Sequence, residues 1–200
     1  MAGIRQFDED EALDRMLAVF WQNGYAATSM QHLAQATGIL RGSLYNAYGD
    51  KQALFLLAFD RYQTRFLNAA REVLARGDPA AALRNFFAYT IKSMTETLVL
   101  HGPEAASATR GCMTTKTATD ETAMAEPIRV ALRSMLENLE TVLEQRLSQP
   151  DAAGRLRLPP KEAARLAVTL TRGIVVMERV FQDTARLQAT ADSLVGVLLQ

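Results

Sequence analysis

Three observations predict an all-α fold. Apolar residues recur at three- and four-residue spacing along most of the chain, no alternating strand pattern appears, and Gly or Pro breaks cut the pattern into separate helices. About nine or ten helices are expected in 200 residues, enough to bury a sizeable core as one large or two small domains. With 48% hydrophobic and 22% charged residues the composition is ordinary for a soluble globular chain, so pattern rather than bulk must carry the reading.

A first helix is expected over about residues 8–23, where Ala12, Leu13, Met16, Leu17, Val19 and Phe20 share a helical spacing. Acids crowd its first turn, where the helix dipole favours them, and Gly24 follows as a stop. Residues 28–51 then read TSMQHLAQATGILRGSLYNAYGDK. Thr28 can cap a short helix, with Gln31 at capping-box spacing and Met30, Leu33 and Ala34 as its apolar face. Gly38 gives the next turn access to positive φ. Ile39 and Leu44 anchor a second short helix and leave Arg41, Ser43, Tyr45 and Asn46 facing outward. Two helices at a tight glycine turn, here over 29–48, read as a helix-turn-helix whose second helix lies in the DNA major groove.

Asp50 caps a long helix to about residue 76, carrying Leu54, Leu57, Ala58, Phe66, Leu67 and Leu74, and Gly77 ends it. Asp78-Pro79 opens the next helix with a cap followed by proline at the first position. Its stripe of Leu83, Phe86, Phe87, Thr90, Ile91 and Met94 is expected to reach about residue 101, before Gly102-Pro103. Residues 104–120, rich in Ala, Thr and Ser, are expected to hold one short helix and a second. Pro127 starts or kinks a helix striped by Ile128, Leu132, Met135, Leu136, Leu139, Val142, Leu143 and Leu147. A loop over 149–158 leads to Pro159-Pro160 and a helix to about 184, bearing Ala163, Leu166, Ala167, Leu170, Ile174, Met177 and Phe181. A last helix over about 186–199 follows.

Zero net charge and a pI near 6.8 exclude a polyanion binder by bulk charge alone. Distribution says more. Asp8, Glu9, Asp10, Glu11 and Asp14 precede an interval from Arg15 to Gly49 that holds no acid, with Arg15, Arg41 and Lys51 nearby. This weak basic footprint predicts DNA binding that depends on dimerisation and on low to moderate salt. Cys112 is the single cysteine, which excludes an intrachain disulfide and a cysteine-rich zinc site. His32 and His101 stand alone, and neither HExxH, GxSxG nor phosphate-loop spacing occurs. No catalysis, cofactor or metal is expected. An acidic N-terminus unlike a signal peptide, and an apolar run no longer than 53–59, predict a cytoplasmic protein with no membrane partner.

With GYAATSMQHLAQATGI at 24–39 and RGSLYNAYGDK at 41–51, the chain resembles the TetR/AcrR family of bacterial one-component repressors. The match is specific over the first four helices and rests on helix order alone beyond them. The resemblance implies a three-helix helix-turn-helix DNA-binding domain over 6–66. A C-terminal helical ligand-binding and dimerisation domain would cover 67–200. It implies a homodimer on a palindromic operator of double-stranded DNA, released by a small-molecule inducer. Residue by residue, Thr28 would cap and contact phosphate, and Arg41, Gly42 and Ser43 would face base edges, with Asn46 on the same helix. Tyr45 and Lys51 would bind phosphate. Phosphate contacts position the protein, so Arg41 is the candidate for reading a base. Tyr45 also admits a packing role beneath the first helix, and Arg41 a solvated one. Leu40 stands where the family has a small polar residue, and Ala47-Tyr48 replaces its His-Phe.

An inducer pocket is expected between helices of the C-terminal half. Phe86, Phe87, Thr90, Met94, Met113, Met135, Arg172, Val176 and Met177 are candidate contacts, each of which also reads as plain core. Cys112 has two readings. It is a small buried core residue, or a reactive thiol whose pKa Lys116, one helical turn on, would lower. Some relatives with a similar Gly-Cys segment respond to electrophiles or oxidants. The stripes of 128–147 and 163–181 read as core or, on the resemblance, as paired helices of a dimer interface. Two recognition helices about 34–36 Å apart would then read a palindrome. The rival readings are a DNA-binding adaptor with a protein partner and no inducer, and a helical enzyme or carrier, which the missing catalytic groups disfavour.

Overall fold

A computed structural model describes residues 8–96, 109 and 111–200. Among them nine α-helices run in order: α1 (Glu9–Ala27), α2 (Met30–Thr37), α3 (Arg41–Tyr48), α4 (Lys51–Leu74) and α5 (Pro79–Thr95), then α6 (Met113–Ala118), α7 (Glu126–Leu147), α8 (Pro160–Phe181) and α9 (Thr184–Leu198). Short 3-10 turns at Glu121–Ala123 and Pro150–Ala152 join α6 to α7 and α7 to α8. None of the described helices is long and apolar enough to cross a membrane.

Local chemistry sets most of the starts. The Asp8 carboxylate accepts from the Asp10 and Glu11 amides at the head of α1, and Asp50 and Asp78 do the same one turn into α4 and α5. Helix α1 continues four residues past its expected end. Gly24 kinks it with φ 79° rather than stopping it. Helix α8 stops three residues early, because Gln182 turns left-handed (φ 51°) and the Asp183 carboxylate accepts from the Arg186 amide to start α9. The break expected at Gly102-Pro103, with His101, lies outside the described residues. In the Ala/Thr/Ser-rich stretch the described part holds α6 alone.

Helix α4 spans both parts of one continuous hydrophobic core. Its first half packs on α1, where Phe20, Phe55 and Phe59 are fully buried with Leu33, Leu44 and Leu54. Its second half meets α5 and α7, and there Phe86, Phe87, Met135, Leu139, Ala163 and Ala167 form the larger part. The domain boundary expected near 66 therefore falls inside one uninterrupted helix. Fully burying each phenylalanine contributes roughly 1.5–3 kcal/mol against exposure, far more than any surface ion pair in the molecule.

The two stripes expected at a dimer interface differ. That of α7, from Ile128 through Met135 and Leu139 to Leu147, is buried inside the protomer against α4 and α8. The stripe of residues 128–147 is thus core within the protomer, while Val130 on the other side of α7 stays exposed. Helix α8 has a buried stripe of Ala163, Ala167, Ile174 and Val175, yet it also exposes Leu166, Val176, Met177 and Val180, the last at 68%. Exposed Val197 on α9 extends that outer face.

Charges lace α1 to α4. Arg61 donates to both Asp10 and Asp14, and Arg65 reaches Asp14 at 2.7 Å. Hydrogen bonding from Arg61 holds the Asp14 pKa down at about 2, against a smaller opposing effect of burial. A depressed carboxylate adds stability above its unfolded pKa and loses it as pH falls through the folded one. The melting temperature of the native protein should therefore fall more steeply from about pH 4 to about pH 2 than that of Asp14→Asn. The two melts should converge at the acid end, where thermal denaturation followed by circular dichroism reads the difference.

Candidate nucleic-acid interface

The helix-turn-helix is pinned by its own side chains. Ser29, not Thr28, caps α2: its hydroxyl accepts from the His32 amide at 3.1 Å, and His32 Nδ1 accepts from the Ser29 amide at 3.3 Å. Thr28 instead closes the kink in α1. It is buried and donates its hydroxyl to the Gly24 carbonyl at 2.6 Å. The expected Thr28 cap and phosphate contact are thus corrected, because the hydroxyl is spent on the carbonyl that the glycine kink leaves open. At the turn, Gly38 takes φ 72°. The Thr37 hydroxyl donates to the Leu33 carbonyl and accepts from the Ile39 amide, which fixes the angle between α2 and α3.

Leu44 alone among α3 residues is buried, so it sets the helix's rotation. Arg41, Gly42, Ser43, Tyr45 and Asn46 all face out. A side chain at Gly42 would meet nothing within 4 Å, so nothing inside the protomer requires a glycine there. Arg41 holds its guanidinium 5.6 Å from the Tyr45 ring centroid, one turn on, and both stay at the surface. Leu40, 79% exposed, precedes them with no side-chain cap for α3, and half-buried Tyr48 packs against the core. Lys51 is drawn inward. Its ammonium donates to the Tyr25 carbonyl at 3.0 Å and sits 4.2 Å from that ring's centroid, keeping two further N–H donors.

Behind this surface, residues 111–120 clasp the end of α1. The Trp21 indole donates to the Gly111 carbonyl, the Ala26 amide donates to the Asp120 carboxylate, and Lys116 donates to the Trp21 and Gln22 carbonyls at 2.6 and 3.0 Å. Lys116 therefore points away from the thiol it was expected to activate. Burial, and then Arg179, hold its pKa below the ordinary lysine value. The cation beside Cys112 is Arg172, with Nη1 3.2 Å from the sulfur, and the Tyr62 hydroxyl lies 3.7 Å away. Burial pushes the Cys112 thiol up, but Arg172 and hydrogen bonds to the sulfur outweigh it and the net shift is downward.

Of the remaining inducer candidates, Phe86, Phe87, Thr90, Met94, Met113 and Met135 are buried core. The Thr90 hydroxyl is spent on the Phe86 carbonyl, and the Met135 sulfur accepts from Thr114. Val176 joins Cys112 and Lys116 in a cleft of about 190 Å³ between α6 and α8, while Met177 lies on the outer face of α8. Sequence reasoning missed the Ser29–His32 cap and the partners of Cys112. The first carried a readable signal in the serine at N-cap. The second joins residues 50 and 60 positions from the cysteine, which local spacing cannot show.

A buried anchor, an outward polar face and a glycine turn define a helix-turn-helix DNA-binding protein with a helical second domain. Residues 12–58 match the family model of the bacterial regulatory proteins of the tetR family, and 79–194 match that of the tetracyclin repressor-like C-terminal domain. The chain belongs to the TetR family of transcriptional regulators, which bind operator DNA. It is 31% identical to the transcriptional repressor ComR of Escherichia coli K12 over 77% of this chain and 69% of that one. It is 29% identical to the uncharacterized regulator YezE of Bacillus subtilis over 99% and 100%. Among solved structures, a cysteine-substituted form of the TetR family regulator CifR, complexed with 26-base-pair operator DNA, superposes with a TM-score of 0.81. That match has 25% identity and covers 98% of this chain and all of the other.

The Arg172 contact has a direct consequence for the thiol. Arg172→Met should move the pH midpoint of Cys112 alkylation upward and slow reaction with iodoacetamide at neutral pH, which mass spectrometry of timed samples would measure.

Proposed function

We propose that the protein is a homodimeric repressor, released from a palindromic operator by a small molecule, with modification of Cys112 as a second route of release. The observation that carries the DNA-reading part is the outer face of α3, above all Gly42, whose missing side chain serves no contact within the protomer. Gly42 would let the helix backbone approach the groove. Arg41, with Ser43 and Asn46 beside it, would meet base edges, while Tyr45 and the free N–H donors of Lys51 would hold phosphates. The exposed apolar face of α8, continued by Val197 of α9, supports a second copy as its cover. Without a second copy, one recognition helix reads too few bases.

Release follows from how α4 is shared. Its N-terminal half carries the reading head and its C-terminal half the larger part of the core, so a shift of α4 alters the separation of two recognition helices in a dimer. A ligand must bind the spread state better than the DNA-competent one, by a few kcal/mol for useful induction. Modification of Cys112 would exert the same effect. The Cys112 thiolate would add to the β-carbon of an α,β-unsaturated carbonyl, forming an S–C bond beside Tyr62 and Arg172 as the C=C π bond breaks and the α-carbon takes a proton from water. The adduct would crowd the Tyr62 ring, which packs edge-on against Trp21 of α1 at 4.8 Å.

Two measurements test this reading. Arg41→Ala should weaken binding to DNA from upstream of the protein's own gene by roughly 1–3 kcal/mol in a fluorescence-anisotropy titration, while binding to unrelated DNA changes little. Val180→Glu should yield a monomer by light scattering and lose operator affinity. A monomeric native protein that still binds the operator tightly would refute the dimer.

A further inference from the structure

The only tryptophan in the sequence stands in the wall of a groove that neither α3 nor the Cys112 cleft uses. The groove encloses about 540 Å³ between α1 and α5, with α4 beneath, a volume typical of small-molecule sites. Buried Tyr62 and Phe66 form its floor. Trp21 from α1 and Tyr89 from α5 form opposite walls. The four rings are contiguous, with centroids 4.8 Å apart for Trp21–Tyr62, 6.1 Å for Tyr62–Phe66 and 5.5 Å for Phe66–Tyr89. Such a surface favours a flat aromatic occupant, which stacks on it or meets its edges.

The charges at the rim decide the occupant's sign. Asp14 already accepts from Arg61 and Arg65, so this acid and Arg65 neutralise one another. Glu96, at the end of α5, has partners of its own. The Ser93 hydroxyl donates to the Thr90 carbonyl. The ammonium of Lys92, by contrast, makes no ion pair or hydrogen bond among the described residues, and it lines the groove on the same wall as Tyr89. An aromatic surface with one uncommitted cation at its edge calls for a ring bearing an anion.

We propose that this groove binds an aromatic monocarboxylate, with its ring against Trp21, Phe66 and Tyr89 and its carboxylate on Lys92. One wall belongs to the helix that supports the reading head and the other to the helical second domain. An occupant therefore fixes the two against each other. Its role as an effector rests on the operator-release reading, whereas its binding does not.

Trp21 supplies the readout on the full-length protein. Titration with 4-nitrobenzoate, a contact quencher, should quench its fluorescence saturably. Lys92→Met should weaken that binding about tenfold, the loss of one charge-assisted hydrogen bond. The neutral twin 4-nitrobenzyl alcohol should bind both proteins equally and more weakly than the carboxylate binds the native one. Ala18→Phe, which fills the groove from an exposed position and adds no tryptophan, should abolish saturable quenching with its circular dichroism melt unchanged. Quenching that stays linear in concentration, or that is the same in Ala18→Phe, overturns the site. Equal affinity for carboxylate and alcohol, insensitive to Lys92→Met, overturns the anion. Operator anisotropy on the same samples separates the two readings: saturable quenching without DNA binding removes the regulator and leaves the groove, and the reverse removes the groove alone.

Discussion

Phe55 of α4 sits against two rings of α1, edge-on to Phe20 and to Tyr25 with both centroids 5.2 Å away. This contact holds the reading head to the rest of the molecule. Helices α2 and α3 are eight residues each, too short to be stable alone; α2 packs on α1, and α3 packs on α2. Helix α4 carries the same aromatic row onward through Phe59, Tyr62 and Phe66 to Tyr89 of α5. The position of α3 in space is thus continuous, through packed rings, with the core of the second domain. Packed rings cannot compress, so they shift as a unit rather than yield locally.

A second connection runs beside the first. The segment 111–120 donates and accepts across the last turn of α1, with Lys116 holding two carbonyls next to the Gly24 kink. The kink explains why these carbonyls are reachable, since a helix that continued regularly would spend them on its own amides. Cys112 begins the same short helix as Lys116 and touches Tyr62 of the aromatic row. One residue change at the thiol therefore bears on both connections at once.

The helix-turn-helix was legible because its determinants are local. A glycine at the turn, a leucine at the anchor and an aspartate before α4 all act within a few residues, and α3 presents the outward side chains that spacing predicts. Spacing puts the cap one residue early, at Thr28, because Thr and Ser both satisfy the rule. Only the Gly24 kink, which claims the Thr28 hydroxyl, separates them. Lys116 was the natural cation for Cys112 by helical spacing, yet Cys112 is the N-cap of α6, outside the helix, and the lysine leaves toward α1. Arg172 takes its place from 60 residues away. The stripes of α7 and α8 look alike in sequence. Which one is covered depends on α4, which packs against α7 and leaves the outer face of α8 open.

The sequence by itself determined the all-α class, the order of the helices, the Asp50 and Asp78 caps, and the face that α3 shows to solvent, since each follows from side chains within one or two turns. The tertiary structure alone decided the cation beside Cys112, the apolar face of α8 left exposed, and the aromatic groove between α1 and α5. Each of these joins elements dozens of residues apart, and only packing brings them within the few ångströms over which charge, stacking and hydrogen bonds act.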